Sequence, residues 1–155
     1  MRRKLLTVFL LLMTLSCFTL MFLSCEGWEE EFTGKSESLN EEAACDIVSA
    51  RGRVGEKDVC VKGYIVGGDL TSSASGISFE APFSSATHLA IADSLNVNEK
   101  SACFSVQLPS GKIRDGLNLV NRPENHGRMV YLKGDIVASY FGIVGMKNVT
   151  DFVLK

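Results

Sequence analysis

Two histidines, five cysteines and a scattered set of polar side chains are all that this 155-residue chain offers for covalent or acid–base chemistry. His88 and His126 lie far apart, and neither has a cysteine or a second histidine at the short spacing that a zinc site uses, so no metal site is expected. The chain has no Gly-x-Ser-x-Gly elbow and no glycine-rich phosphate loop; Gly67-Gly68 reads as a turn. Cys60 lies in a strand pattern and Cys45 in a helix pattern, where a cysteine is a small buried hydrophobe by default. Together with Cys103 they make an odd set, so at least one thiol stays unpaired. No catalytic residue, no cofactor and no enzymatic activity are expected.

Non-covalent recognition has better candidates. Phe79 and Phe83 stand in a serine-rich stretch, Asp69 to Ala86, where they either stack on a ligand or pin the stretch to the core. Tyr140 and Phe141 form an aromatic pair between two strand patterns. Asp93, Gln107, Arg114, Asn118, Lys147 and Asn148 form a polar set that either meets a ligand or satisfies turns and backbone groups.

The elements that must position these side chains are mostly strands. In VCVKGYIVGG, Val59, Val61 and Ile65 alternate with Cys60, Lys62, Tyr64 and Val66, and Gly63 marks a bend or a close approach of backbone. Strand patterns follow at Thr87–Asp93, Phe104–Leu108 and Met129–Ser139, the last with Gly134 at a bend, and a final one falls within Met146–Leu154 after a turn holding Gly142 and Gly145. Ser38 and Glu41 have the spacing of a capping box, which predicts a helix from Leu39 to Ala50 with Leu39, Ala43, Ala44, Ile47 and Val48 on its apolar face. Ile113, Leu117 and Val120 predict one short helix before Pro123.

Strand, strand, strand, short helix, strand, strand is the order of a five-stranded Greek-key OB-fold barrel. The expected fold is therefore mainly β: a small OB-fold-like barrel with an N-terminal helix and a short helix between strands three and four, spanning residues 38–155. Ligands of such barrels meet strands two and three and the loops after strands one and four. That face would carry Gln107 and Asp93, with Tyr140 and Phe141 from the loop after strand four; Phe79, Phe83 and Lys147 are the further candidates for ligand contact.

The N-terminus speaks of location. Arg2 to Lys4 precede an apolar run, Leu5 to Leu23, that ends at Ser24 and Cys25. Phe22-Leu23-Ser24-Cys25 resembles the lipobox of a bacterial lipoprotein signal peptide, which implies cleavage after residue 24 and lipidation of Cys25. Phe22 departs from the commoner leucine, and the length of the run leaves an uncleaved anchor of ~20 residues as the rival reading. Residues 25–37, with Glu26, Glu29, Glu30 and Glu31, form an acidic tether, either an export signal of the kind that sends Bacteroidota lipoproteins to the surface or a solvated linker. Loss of Arg2, Arg3 and Lys4 would leave 13 basic against 18 acidic side chains, a net charge of −5. An acidic chain repels phosphate backbones, so nucleic acid is not an expected partner.

Gly63-Tyr64-Ile65-Val66-Gly67, Ile91-Ala92-Asp93-Ser94, Val106-Gln107-Leu108-Pro109, Ile113-Arg114 with Leu117-Asn118-Leu119, Leu132-Lys133-Gly134-Asp135 and Gly145-Met146-Lys147-Asn148 resemble segments of a family of OB-fold-like Bacteroidota lipoproteins of unknown function. The resemblance runs from about Leu39 to Leu154, with Val144-Gly145 where a proline-glycine turn is usual, and it brings no catalytic or binding residues. The function expected is a lipid-anchored binding module of the outer membrane, surface-exposed or facing the periplasm, for a glycan, peptide or partner protein. An OB-type nucleic-acid-binding module is the alternative.

Overall fold

The computed structural model describes residues 39–155; the leader, Cys25 and the acidic tether lie outside the described residues, as does Ser38. The described chain is mainly β, a five-strand mixed sheet with two helices. The strands are β1 (Val59–Gly67), β2 (His88–Ala92), β3 (Phe104–Gln107), β4 (Met129–Tyr140) and β5 (Ile143–Leu154). The helices are α1 (Ile47–Arg51) and α2 (Lys112–Leu117).

Pairing runs β1-β2-β3-β5-β4 and returns to β1, so the sheet closes on itself and no long edge is left open. All contacts are antiparallel except β3 with β5, which pair in parallel over Ser105↔Gly145 and Val106↔Met146. Gly145 is required there, because a Cβ would run into the Ser105 carbonyl. Gly134 sits at the expected bend in β4, where the register slips between Lys133 and Asp135 and a Cβ would lie 2.9 Å from the Lys147 carbonyl. In β1 the bulge falls between Ile65 and Gly67, while Gly63 marks a close approach, 3.1 Å from a Cβ to the Ala92 carbonyl.

The interior gathers Val59, Val61, Ile65, Leu89, Ile91, Phe104, Val106, Val130, Leu132, Ile136 and Met146, plugged at the ends by Ile47 and by Ile113 and Leu117. Full burial of each such side chain contributes ~1.5–3 kcal/mol. A second apolar cluster forms outside the sheet. Val66, Ala90, Ala92 and Cys103 meet Leu70, Ile77 and Phe79 of the serine-rich segment, and this is why β2 is buried on both faces.

The N-terminal helix differs from expectation. Glu41–Ala43 is a single 3-10 turn capped by Asn40, and Cys45 then pairs with β1, its N–H donating to Cys60 O at 3.0 Å and its carbonyl accepting from Lys62 N–H at 2.9 Å. Only after that bridge does the helix start, with the Asp46 carboxylate accepting from Ser49 N–H at 2.7 Å. A chain engaged in a strand bridge has no helical hydrogen bonds to give, so the long apolar stripe dissolves. Ile47 and Ala50 are buried, but Val48 is 73% exposed. Val120 likewise lies beyond α2 and is exposed. The last turn is tighter than expected: Tyr140 still belongs to β4 and pairs with Ile143. Phe141 (φ 58°) and Gly142 (φ 85°) alone form the link, both left-handed as a two-residue hairpin requires. Gly145 lies in β5.

Candidate functional site

Register and turn geometry assemble one patch on the outside of the sheet. His88 of β2 sits directly across from Gln107 of β3. The Gln107 side-chain oxygen accepts from Asn148 N–H at 3.3 Å, which links β3 to β5 beyond their short parallel ladder. The two-residue turn holds Phe141 against His88, with ring centroids 4.4 Å apart, and Tyr140 against Phe141 at 4.5 Å. Lys147 completes the row, its Nζ 4.9 Å from the Tyr140 ring centroid. Gln107, Tyr140, Phe141 and Lys147 are therefore brought together, joined through His88.

The electrostatics of the patch follow from burial and cations. Burial raises the Tyr140 phenol above its ordinary value, and the Arg114 guanidinium opposes that rise. Arg114 is itself held by its Nε–H, which donates to Leu108 O at 3.0 Å. Burial lowers the His88 imidazole, against a smaller opposing effect of Asp69. His88 Nδ1 lies 3.0 Å from Thr87 Oγ1 and 3.3 Å from Ser85 Oγ, while Nε2 is buried with no hydrogen-bond partner among the described residues.

Two charged side chains hold the surrounding segments in place. Lys100 is 4% exposed and its ammonium donates to Thr71 O at 2.5 Å, Ser73 O at 2.7 Å and Phe141 O at 2.6 Å. It thereby ties the serine-rich segment to the turn that carries the aromatic pair. The Asp69 carboxylate accepts from Ser84 N–H and Ser85 N–H at 3.0 and 2.7 Å. Ser105 Oγ–H donates to Tyr140 O at 2.8 Å and fixes the turn from beneath.

Of the two roles the sequence leaves open for Phe83, the structure places it in the pinning one. It is 8% exposed, belongs to the interior cluster and faces His126 at 5.7 Å, so it pins its segment to the core. Phe79 is half-buried and packs against the same outer apolar cluster as Phe141. It lines both a cleft of about 570 Å³, with Ile77 and Glu99, and one of about 450 Å³, with Val66, Glu80, Val97 and His126.

Asp93 and Asn118 serve the backbone. Asp93 accepts from Ile47 N–H at 2.9 Å, and Asn118 both donates to Arg114 O at 2.7 Å and accepts from Asn121 N–H at 2.8 Å. Cys45, Cys60 and Cys103 are free thiols. Burial pushes the Cys103 thiol up to about 11, which keeps it protonated and unreactive at neutral pH. Among the described residues no group of three His, Cys, Asp or Glu side chains converges to hold a metal. Among them, too, no helix is long and apolar enough to cross a membrane.

Sequence reasoning singled out His88 as a histidine but not its place in the patch, because its partner Phe141 comes from a turn far along the chain, and it missed Lys100. Lys100 sits among polar loop residues, and its three acceptors lie 27 to 41 positions away. No local signal marks it.

No curated protein and no solved structure matches the chain. A family model described as a domain of unknown function (DUF6359) matches residues 45–155, from the bridge residue Cys45 through the last strand. The chain belongs to that family.

Proposed function

We propose that this protein is a lipid-anchored binding module of the bacterial envelope, an OB-fold-type Greek-key barrel carried on a tether at Cys25. It displays a recognition face built on Gln107, Tyr140, Phe141 and Lys147. The observation that carries the reading is the aromatic row, with Phe141 on His88, Tyr140 on Phe141 and Lys147 over Tyr140, set beside Gln107. Rings held by a turn and backed by buried partners lose little conformational freedom on binding, which favours their use as ligand platforms. The strand order supports the OB assignment, because the turn after β4 and the β2–β3 face are where such barrels meet ligands. The leader pattern ending at Cys25 supports an outer-membrane lipoprotein, surface-exposed or facing the periplasm. The ligand is a glycan, a peptide or a partner protein. The reading includes no catalytic step.

Two experiments test the two halves. Intact-mass analysis of the chain extracted from its native membrane is expected to show a diacyl or triacyl group on Cys25 and loss of residues 1–24; retention of Met1–Ser24 without lipid sinks the anchor. For the face, Phe141→Gly removes the ring while keeping a residue that tolerates φ 58°, and Tyr140→Ala removes its neighbour. Screened against glycan, peptide and oligonucleotide arrays, the wild-type chain is expected to bind a member that both variants lose. Variants that bind like the wild type refute the face, and preferential capture of oligonucleotides selects the nucleic-acid reading instead.

A further inference from the structure

We infer that the Tyr140–Phe141 face receives a saccharide bearing a carboxylate. This inference rests on the reading of that face as a binding surface and names the chemistry of its ligand. The polar atoms left over at the face are donors. Gln107 spends its side-chain oxygen on Asn148 N–H, which leaves its amide N–H groups without a partner among the described residues. Arg114 spends Nε on Leu108 O, and its two terminal nitrogens have no partner there either. Lys147 Nζ sits over the Tyr140 ring and pairs with no carboxylate among the described residues, although Asp135 faces Lys147 across the β4–β5 ladder. The Asp135 carboxylate is instead engaged by Asp58 N–H at 3.2 Å and by the Asn148 amide at 2.9 Å. Asp69, whose charge reaches His88, is occupied by the Ser84 and Ser85 amides.

A face with spare donors, two cations and its neighbouring acids already satisfied calls for an acceptor-rich anion. Charge-assisted hydrogen bonds from Arg and Lys to a carboxylate are the strong form of that match. The aromatic pair adds the requirement for a flat apolar ligand surface, which the C–H face of a pyranose ring supplies. An acidic sugar meets both demands in one residue. A nucleic-acid strand meets them less well, because tracking successive phosphates takes a run of cations, and this face offers two. His88 Nε2 is a further polar atom, buried beside the platform without a partner among the described residues.

The test is titration of the full chain, followed by NMR and calorimetry, with trigalacturonate, its methyl ester, a neutral trisaccharide of glucose and a short oligothymidylate. The free acid is expected to bind with a Kd between about 1 μM and 1 mM and to shift Tyr140, Phe141 and Lys147. The ester and the neutral sugar are expected to bind about tenfold or more weakly. Lys147→Met is expected to lower affinity for the acid about tenfold while leaving the ester unchanged, and Lys147→Arg to restore it. The Arg variant keeps the test open should the Met variant lose stability. Equal binding of acid and ester, with both lost in Tyr140→Ala, overturns the carboxylate and leaves the face standing. Acid binding that survives removal of both rings overturns the face as well. Oligothymidylate binding tighter than the uronate, or no binding of any saccharide, overturns the inference.

Discussion

Replacing Lys100 with methionine is the sharpest test of how the face is held. The substitution keeps the length of the stem and deletes the ammonium, so what changes is the three-way clamp on Thr71, Ser73 and Phe141. Hydrogen bonds from a charged donor contribute ~1.5–3 kcal/mol each. Burying an ammonium costs several kcal/mol, and no carboxylate among the described residues pairs with it, so the gross gain is largely offset. Removing the donor is a different operation, since Ser73 O keeps the Gly76 N–H while Thr71 O and Phe141 O lose their cation. Thr71 and Ser73 are exposed, and water reaches their carbonyls readily. Phe141 is half-buried, and its carbonyl is the costly one. We therefore expect a loss of ~2–4 kcal/mol in urea unfolding. Hydrogen exchange is expected to be fastest at Gly76 and Thr71, whose amides close the serine-rich segment by donating to Ser73 O and Gly76 O, and at the Phe141 turn. Affinity for any ligand of the Tyr140 face should fall with it, because the clamp positions that turn. A methionine variant within ~0.5 kcal/mol of the wild type, with protection of these amides intact, would refute the account of Lys100 as a clamp.

Three further outcomes follow from the geometry. Gly145→Ala forces a Cβ onto the Ser105 carbonyl in the two-rung β3–β5 contact, and it is expected to cost more than ~2 kcal/mol in chemical denaturation. Recovery of wild-type stability would show that the ladder gives way cheaply. His88 is buried and its pKa is depressed from 6.5, so the neutral form belongs to the folded state. Stability is complete above that value and declines as pH falls below it, and a scan of melting temperature between about pH 7.5 and 5 should show a drop that His88→Gln abolishes. Asp46 and Asp135 are held below their ordinary 3.8 by hydrogen bonds from Ser49 and Asn148, so their contribution disappears only in stronger acid and does not confuse that window. Cys103, with its thiol raised to about 11, should resist iodoacetamide at neutral pH until the chain unfolds, whereas early labelling there would contradict its burial.

The strands were legible because each carries its own pattern. Val59, Val61 and Ile65 alternate with polar or half-buried neighbours whatever else the chain does, and the glycine at 134 marks a place where side chains have no room. The face was legible in part for the same reason. Gln107, Tyr140, Phe141 and Lys147 fall near one another once the strand order is fixed, since a tight turn and a parallel contact then dictate who meets whom.

What failed failed for non-local reasons. The Leu39–Ala50 stripe has helical period, but Cys45 is worth more to the chain as a bridge to β1, and that exchange is invisible in a local window. Phe79 and Phe83 look alike in sequence, and only packing sends Phe83 to the interior while Phe79 lines two clefts. The amino-acid sequence by itself determined the alternating strands and the turn residues, both of them properties of neighbours along the chain. Tertiary structure alone decided that the sheet closes, that Lys100 reaches three distant carbonyls, and that His88 lies under Phe141, because each depends on segments tens of residues apart being brought to one place by a shared core.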